Sequence, residues 1–236
     1  MKNIIITTYF TKDIDPQRNH IWDTDDFNII ELFFESIVKH DLSLIILHDN
    51  CSDNFVNEYT TNKIKFVKVN SSGLNMVDIR WKLYSEFLSD TEADNVFFMD
   101  VSDVIILKNP FDYIQPNKIY IGDEMSINKE NYWMMERYDM LNLDTKDYLD
   151  DTVLNCGVLG GSYNDMLSFC RKMSDLIDKN SIKETTVDMA AANHILYTEY
   201  RDRIVHGPPL NTLYRGGVNP YSGDDNGFDY CYIQHK

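Results

Sequence analysis

Positive charge is scarce in this chain: 22 Lys and Arg stand against 38 Asp and Glu in 236 residues, a formal charge of −16. With no basic surplus to neutralise a phosphate backbone, general nucleic-acid binding is excluded as an expectation. A nucleotide ligand is not excluded, because a metal ion can bring positive charge locally. Cysteine is sparse as well. Cys51, Cys156, Cys170 and Cys231 are scattered without a CxxC pair, which argues against a zinc cluster or a dense disulfide framework and for reduced thiols inside a cell. No apolar run approaches the length of a membrane span. The opening MKNIIITTYFTKD is interrupted too soon for a signal peptide. The expectation is a soluble, cytoplasmic protein with no internal repeat, linker or low-complexity tract.

What the chain does have is alternation. Residues 4–8 form a β-branched run suited to a buried strand, and 27–40 follow at helical spacing through Ile30, Phe33, Phe34, Ile37 and Val38, with Asp25 or Asp26 as cap. Strands are expected at 42–47, 64–69, 96–99 and 104–107, with a helix over 76–88. Strands alternating with helices predict an α/β domain with a mainly parallel sheet, in which ligands sit beyond the carboxyl ends of strands. The second half is less regular: a strand at 118–122, a polar excursion over 124–151, a strand at 153–159 turning at Gly160–Gly161, and helices over 164–178 and 185–197, the last with Thr185 or Thr186 as cap. The tail from Gly207 reads as an ordered loop over the site. The chain is read as one domain, 1–236, with a nucleotide-binding half to residue 110 and an acceptor-binding half from 111.

The stretch 95–111, NVFFMDVSDVIILKNPF, carries the most chemistry. An apolar run ends abruptly in Asp100, Val101, Ser102 and Asp103. Unpaired carboxylates are costly at the end of a buried strand, whereas two of them can share a divalent cation that holds a diphosphate. Asp-x-Ser-Asp is also favourable turn chemistry, so a purely structural turn is the competing account.

Taken in order, several segments resemble the GT-A glycosyltransferase superfamily: ITTYFT on the first strand, the helix bearing Arg80, the DVSD element, NCGVLGGS from Asn155, VDMAAANHILY from Val187, and the closing YIQHK. Within it the chain looks most like small transferases encoded by large algal DNA viruses, which would place it in a host cytoplasm. The resemblance implies a single GT-A-like domain with a mixed, mainly parallel sheet flanked by helices. It also implies a nucleoside-diphosphate sugar donor, with a UDP-sugar favoured, a Mn²⁺ or Mg²⁺ ion, and transfer of a hexose or deoxyhexose to a hydroxyl of a glycan or glycoprotein. The acidic pair is spaced D-V-S-D rather than DxD, which leaves open which carboxylate meets the metal directly.

On this reading Asp100, Asp103 and His235 are the metal ligands. His235 and Lys236 sit at the chain end, where an untied surface residue is the ordinary alternative, and His206 is a rival ligand that could instead line the acceptor cleft. Asp100, Arg80 and Lys236 would meet the diphosphate, although Arg80 could equally be a solvated helix face. Thr8 and Tyr9 suit the nucleoside, Asp49 its base, and Asn155 and Gly157 a close approach of backbone to ligand. Asp188 would be the general base of an inverting displacement, or else an ordinary first-turn carboxylate. Trp133, in an aromatic stretch over 132–138, would stack on an acceptor sugar or simply join the core. A haloacid-dehalogenase phosphatase is disfavoured because the first strand ends in Thr7–Thr8. A nucleotidyltransferase is disfavoured because the loop over 11–19, with Lys12 and Arg18, has no glycine. A non-catalytic sugar- or nucleotide-binding module is the alternative function. Because the sequence stops straight after His235–Lys236, one domain of a longer polypeptide is a further expectation.

Overall fold

A computed structural model describes residues 2–180, 182–211 and 230–235. The chain order is β1 (Asn3–Tyr9), α1 (Glu31–Lys39), β2 (Leu44–His48), α2 (Asp53–Tyr59), β3 (Ile64–Lys68), α3 (Ile79–Ser89), β4 (Asn95–Met99) and β5 (Val104–Ile106). It continues with β6 (Ile119–Ile127), α4 (Tyr132–Met140), β7 (Thr152–Ser162), α5 (Tyr163–Asn180), α6 (Asp188–Glu199), β8 (Ile204–His206) and β9 (Ile233–His235). Seven strands form one sheet in the order β3-β2-β1-β4-β7-β6-β8, and β5 pairs with β9 apart from it. Only β7 runs against its neighbours, antiparallel to both β4 and β6. The α/β reading with a mainly parallel sheet therefore holds.

Both faces of the sheet are covered, which is why its first strands read as unbroken apolar runs. Side chains alternate across a strand. Ile4, Ile6, Val96 and Phe98 face Trp81, Tyr84 and Phe169 on one side. Ile5, Phe97 and Met99 share the opposite core with Phe33 and Ile37 of α1 and with Val104, Ile106 and Ile233 of the small sheet.

Three local expectations change. Gly160–Gly161 make no turn but lie inside β7, whose eleven residues run straight through them. A Cβ on Gly160 would lie 2.1 Å from the Phe97 ring, so the glycine is there to admit that ring. The second change is that the polar excursion contains α4, capped by the Asn131 side chain, which accepts from the Met134 N–H. Lastly, α6 starts at Asp188 and takes no cap from Thr185 or Thr186.

Candidate functional site

The sheet opens at the C-terminal ends of β1 and β4 onto a cavity of about 520 Å³. Residues 101–103 form a turn that returns the chain, so that Asp103 faces the same space as Asp100. β9 pairs with β5 in the register Val104↔His235, which delivers His235 to the same place. Ligand atoms of Asp100, Asp103 and His235 all lie within 4.8 Å of one another.

The protonation chemistry of this trio suits a cation. Burial works against the Asp100 carboxylate, but Arg80 and then His235 outweigh it and hold its pKa below the usual range. Asp103 is pushed up to about 7, first by burial and then by the negative charge of Asp100. Burial lowers His235 to about 4 despite the pull of Asp100, so its imidazole is neutral and able to ligate near neutral pH. Asp103 Oδ1 is buried with no hydrogen-bond partner among the described residues, which is the kind of acceptor a divalent ion satisfies. Gly157 on β7 forms the adjoining wall. A Cβ there would lie 2.4 Å from His235 Nε2 and 3.0 Å from Asp100 Oδ2. These residues fit a Mn²⁺ or Mg²⁺ site of oxygen ligands completed by one imidazole.

Arg80 anchors the trio from behind. Its Nη1 donates to Asp100 Oδ1 and its Nη2 to Asp188 Oδ2, both at 2.6 Å, from a side chain only 11% exposed. It is not a solvated helix face. Asp188 Oδ1 also accepts from Thr186 Oγ1 at 2.9 Å and from the Met189 N–H at 2.7 Å, so both of its oxygens carry contacts. Both residues line the cavity.

The remaining expected residues divide. Thr8, Tyr9, Asn155, Gly157 and Trp133 all line the cavity. Tyr9 is nevertheless 2% exposed, and its hydroxyl donates to the Asp23 carbonyl at 2.7 Å, so it contributes cavity wall rather than a free stacking face. Asn155 Oδ1 accepts from the Gly157 N–H at 2.8 Å, and its amide donates to Glu124 at 3.0 Å. Asp49 does not line this cavity. Its two oxygens accept from the Thr11 N–H at 2.9 Å and from Ser71 Oγ at 2.7 Å, tying the loops after β1 and β3 together. His206 lies outside too, paired at 2.8 Å with Asp123. Lys236 lies outside the described residues.

Sequence reasoning missed several members. Asp78 is 1% exposed and accepts from the Val187 and Asp188 N–H groups at 3.1 Å, capping α6 from a neighbouring element. Arg18 and Trp22 rise from the loop after β1 to line the cavity. On the far side Arg137 stacks over Trp133 at 4.1 Å and donates to Thr185 Oγ1 at 2.8 Å. The available signal for Arg18 was its position in a loop at the ligand-binding end of a parallel sheet.

No protein-family model matches the chain, and no curated protein matches it in sequence. Among solved structures, it is similar to the galactosyltransferase LgtC, crystallised with donor and acceptor sugar analogues. The TM-score is 0.59 at 10% identity, over 98% of this chain and 86% of that one. At that identity the likeness establishes the fold, which is the GT-A architecture.

Proposed function

We propose that the protein is a metal-dependent glycosyltransferase that moves a sugar from a nucleoside-diphosphate donor, with UDP-sugars the first candidates, to a hydroxyl of a glycan or glycoprotein. The observation that carries this reading is the convergence of Asp100, Asp103 and His235 beside Arg80 in one cavity of a GT-A fold. When bound, a Mn²⁺ or Mg²⁺ ion held by Asp100, Asp103 and His235 would supply charge neutralisation for the leaving diphosphate. Arg80 fixes Asp100 for that task. We assign Thr8 and Tyr9 to the nucleoside and Trp133 with Glu124 to the sugars; all four line the cavity.

In the reaction the bond from the anomeric carbon to the phosphate oxygen breaks, its electron pair staying on that oxygen. A bond from the acceptor oxygen to the anomeric carbon forms, and the hydroxyl proton is released to solvent. We give Asp188 a positioning role. Its Oδ2 is ion-paired to the buried Arg80 guanidinium and its Oδ1 accepts from Thr186 and Met189, and a carboxylate whose charged form is held this way is a poor proton acceptor. The four cysteines are free and buried, in keeping with a cytoplasmic setting, and no helix among the described residues is long and apolar enough to cross a membrane.

The test is donor turnover by the wild type and by Asp103→Asn across a panel of nucleoside-diphosphate sugars, with Mn²⁺, Mg²⁺ or EDTA. Wild type should release nucleoside diphosphate from at least one donor only when a divalent ion is present. Asp103→Asn should lose about a hundredfold or more of that activity while its thermal unfolding is little changed. Metal-independent release, or none with any donor, would sink the reading, and an unfolded Asp103→Asn chain would favour the structural turn.

A further inference from the structure

Arg18 stands out among the cavity's cations because its contact with the metal trio is loose. Its Nη1 is anchored at 2.9 Å on Asp15 Oδ2, and its guanidinium lies 5.5 Å from the Trp22 ring centre. Asp15 is a firm base for it. That residue is 2% exposed and its Oδ1 accepts from the Gln17 and Arg18 N–H groups, while Asp15 and His20 bridge across the base of the turn. The other end of the guanidinium is different. Nη2 reaches Asp103 Oδ2 only at 3.5 Å, at the outer limit of a hydrogen bond, and the side chain is 45% exposed. Arg80 meets its carboxylates at 2.6 Å and is closed off from solvent. One arginine is built in; the other is presented.

We propose that Arg18 is an exchangeable counter-charge of the donor site: it rests on Asp103 when no divalent ion is bound and turns to the diphosphate of the donor when the ion takes that carboxylate. The proposal rests on the glycosyltransferase reading for the nature of the ligand, and adds a residue and an order of events to it. Two physical consequences follow with opposite signs. Before the ion arrives, a guanidinium on Asp103 competes with it and repels it, so Arg18 weakens metal binding. Once ion and diphosphate are both present, a half-exposed guanidinium held at one end by Asp15 is free to make charge-assisted bonds to phosphate oxygens, so Arg18 strengthens diphosphate binding.

The opposite signs make the test specific. Calorimetric titration of the full chain is carried out with Mn²⁺ alone and then, at saturating Mn²⁺, with inorganic pyrophosphate, which probes diphosphate recognition whatever the nucleoside. Arg18→Gln should bind Mn²⁺ about threefold or more tightly than wild type, and pyrophosphate about tenfold more weakly. Arg18→Lys, which keeps the charge, should lie near wild type for Mn²⁺ and between the two for pyrophosphate. A role limited to bracing the loop through Asp15 would move neither affinity or weaken both, and either result, like any other pairing of signs, overturns the proposal. If wild type binds no Mn²⁺, the metal reading fails and this proposal with it. If wild type binds Mn²⁺ and Arg18→Gln behaves the same, only the proposal fails.

Discussion

Gly157 works by having no side chain. The imidazole of His235 packs where its Cβ would be, 2.3 Å from Cε1 and 2.4 Å from Nε2. His235 is 1% exposed, so it has little room to retreat. Gly157→Ala should therefore push the imidazole off the carboxylates, costing about 1–3 kcal/mol as an overpacked site and weakening Mn²⁺ binding by about tenfold or more. Thermal unfolding and Mn²⁺ titration of the variant check both; wild-type Mn²⁺ affinity in Gly157→Ala would remove His235 from the ligand set. At this scale the sequence was most legible where chemistry forces a residue type. Acids at the end of an apolar run stand out because a buried charge needs a partner, whereas His235 entered the candidate ligand set only through the resemblance of the closing YIQHK. Asp49 looked the same in sequence yet spends its carboxylate on Thr11 and Ser71. Residue type alone does not reveal which partner a carboxylate has found.

The start of α6 shows how an element can take its cap from elsewhere. Local rules offered Thr185 or Thr186, but the donors at the helix start are met by Asp78, which directly precedes α3. Such a cap is invisible to a rule that looks only at neighbours in the chain. For the same reason Gly160–Gly161 read as a turn: the Phe97 ring that demands Gly160 lies on another strand. Asp78 also leaves a signature in stability. Its pKa is raised to about 7, first by burial and then by Asp188. The folded state then holds a proton between pH ~4 and ~7 that the unfolded chain has lost, so this group's contribution to stability declines as pH rises through that window. Asp78→Asn cannot titrate. Its unfolding free energy, measured by urea denaturation at several pH values, should fall less steeply than that of wild type across pH ~4 to ~7. Parallel curves would show that Asp78 stays charged throughout.

Over the whole molecule, the site is a junction of segments far apart in the chain. β1 and β4 supply the parallel edge, β7 the opposing wall, and β9 closes it by pairing with β5 outside the main sheet. The strand-end rule for α/β sheets put Thr8, Tyr9, Asp49 and Asp100–Asp103 at one edge of the sheet; Thr8, Tyr9 and Asp100–Asp103 do share the cavity there, and Asp49 does not. The pairing of β9 with β5 was not legible, since three residues carry no register signal of their own and the partner is chosen by tertiary packing. That pairing makes a clean experiment, because β9 can be removed without opening the seven-stranded sheet. A chain ended at Tyr232 loses His235, the three-residue ladder to β5 and the fully buried Ile233. Loss of that one side chain from the core should cost about 2–5 kcal/mol, visible as a lower midpoint in thermal unfolding. The far-ultraviolet circular dichroism should stay close to wild type, and Mn²⁺ binding should be lost. A truncated chain that folds and still binds Mn²⁺ with wild-type affinity would show that the carboxylates hold the ion without β9. Loss of the folded spectrum would instead make the small sheet a condition for folding, because α1 packs against β5 and that face of the core would lose its cover.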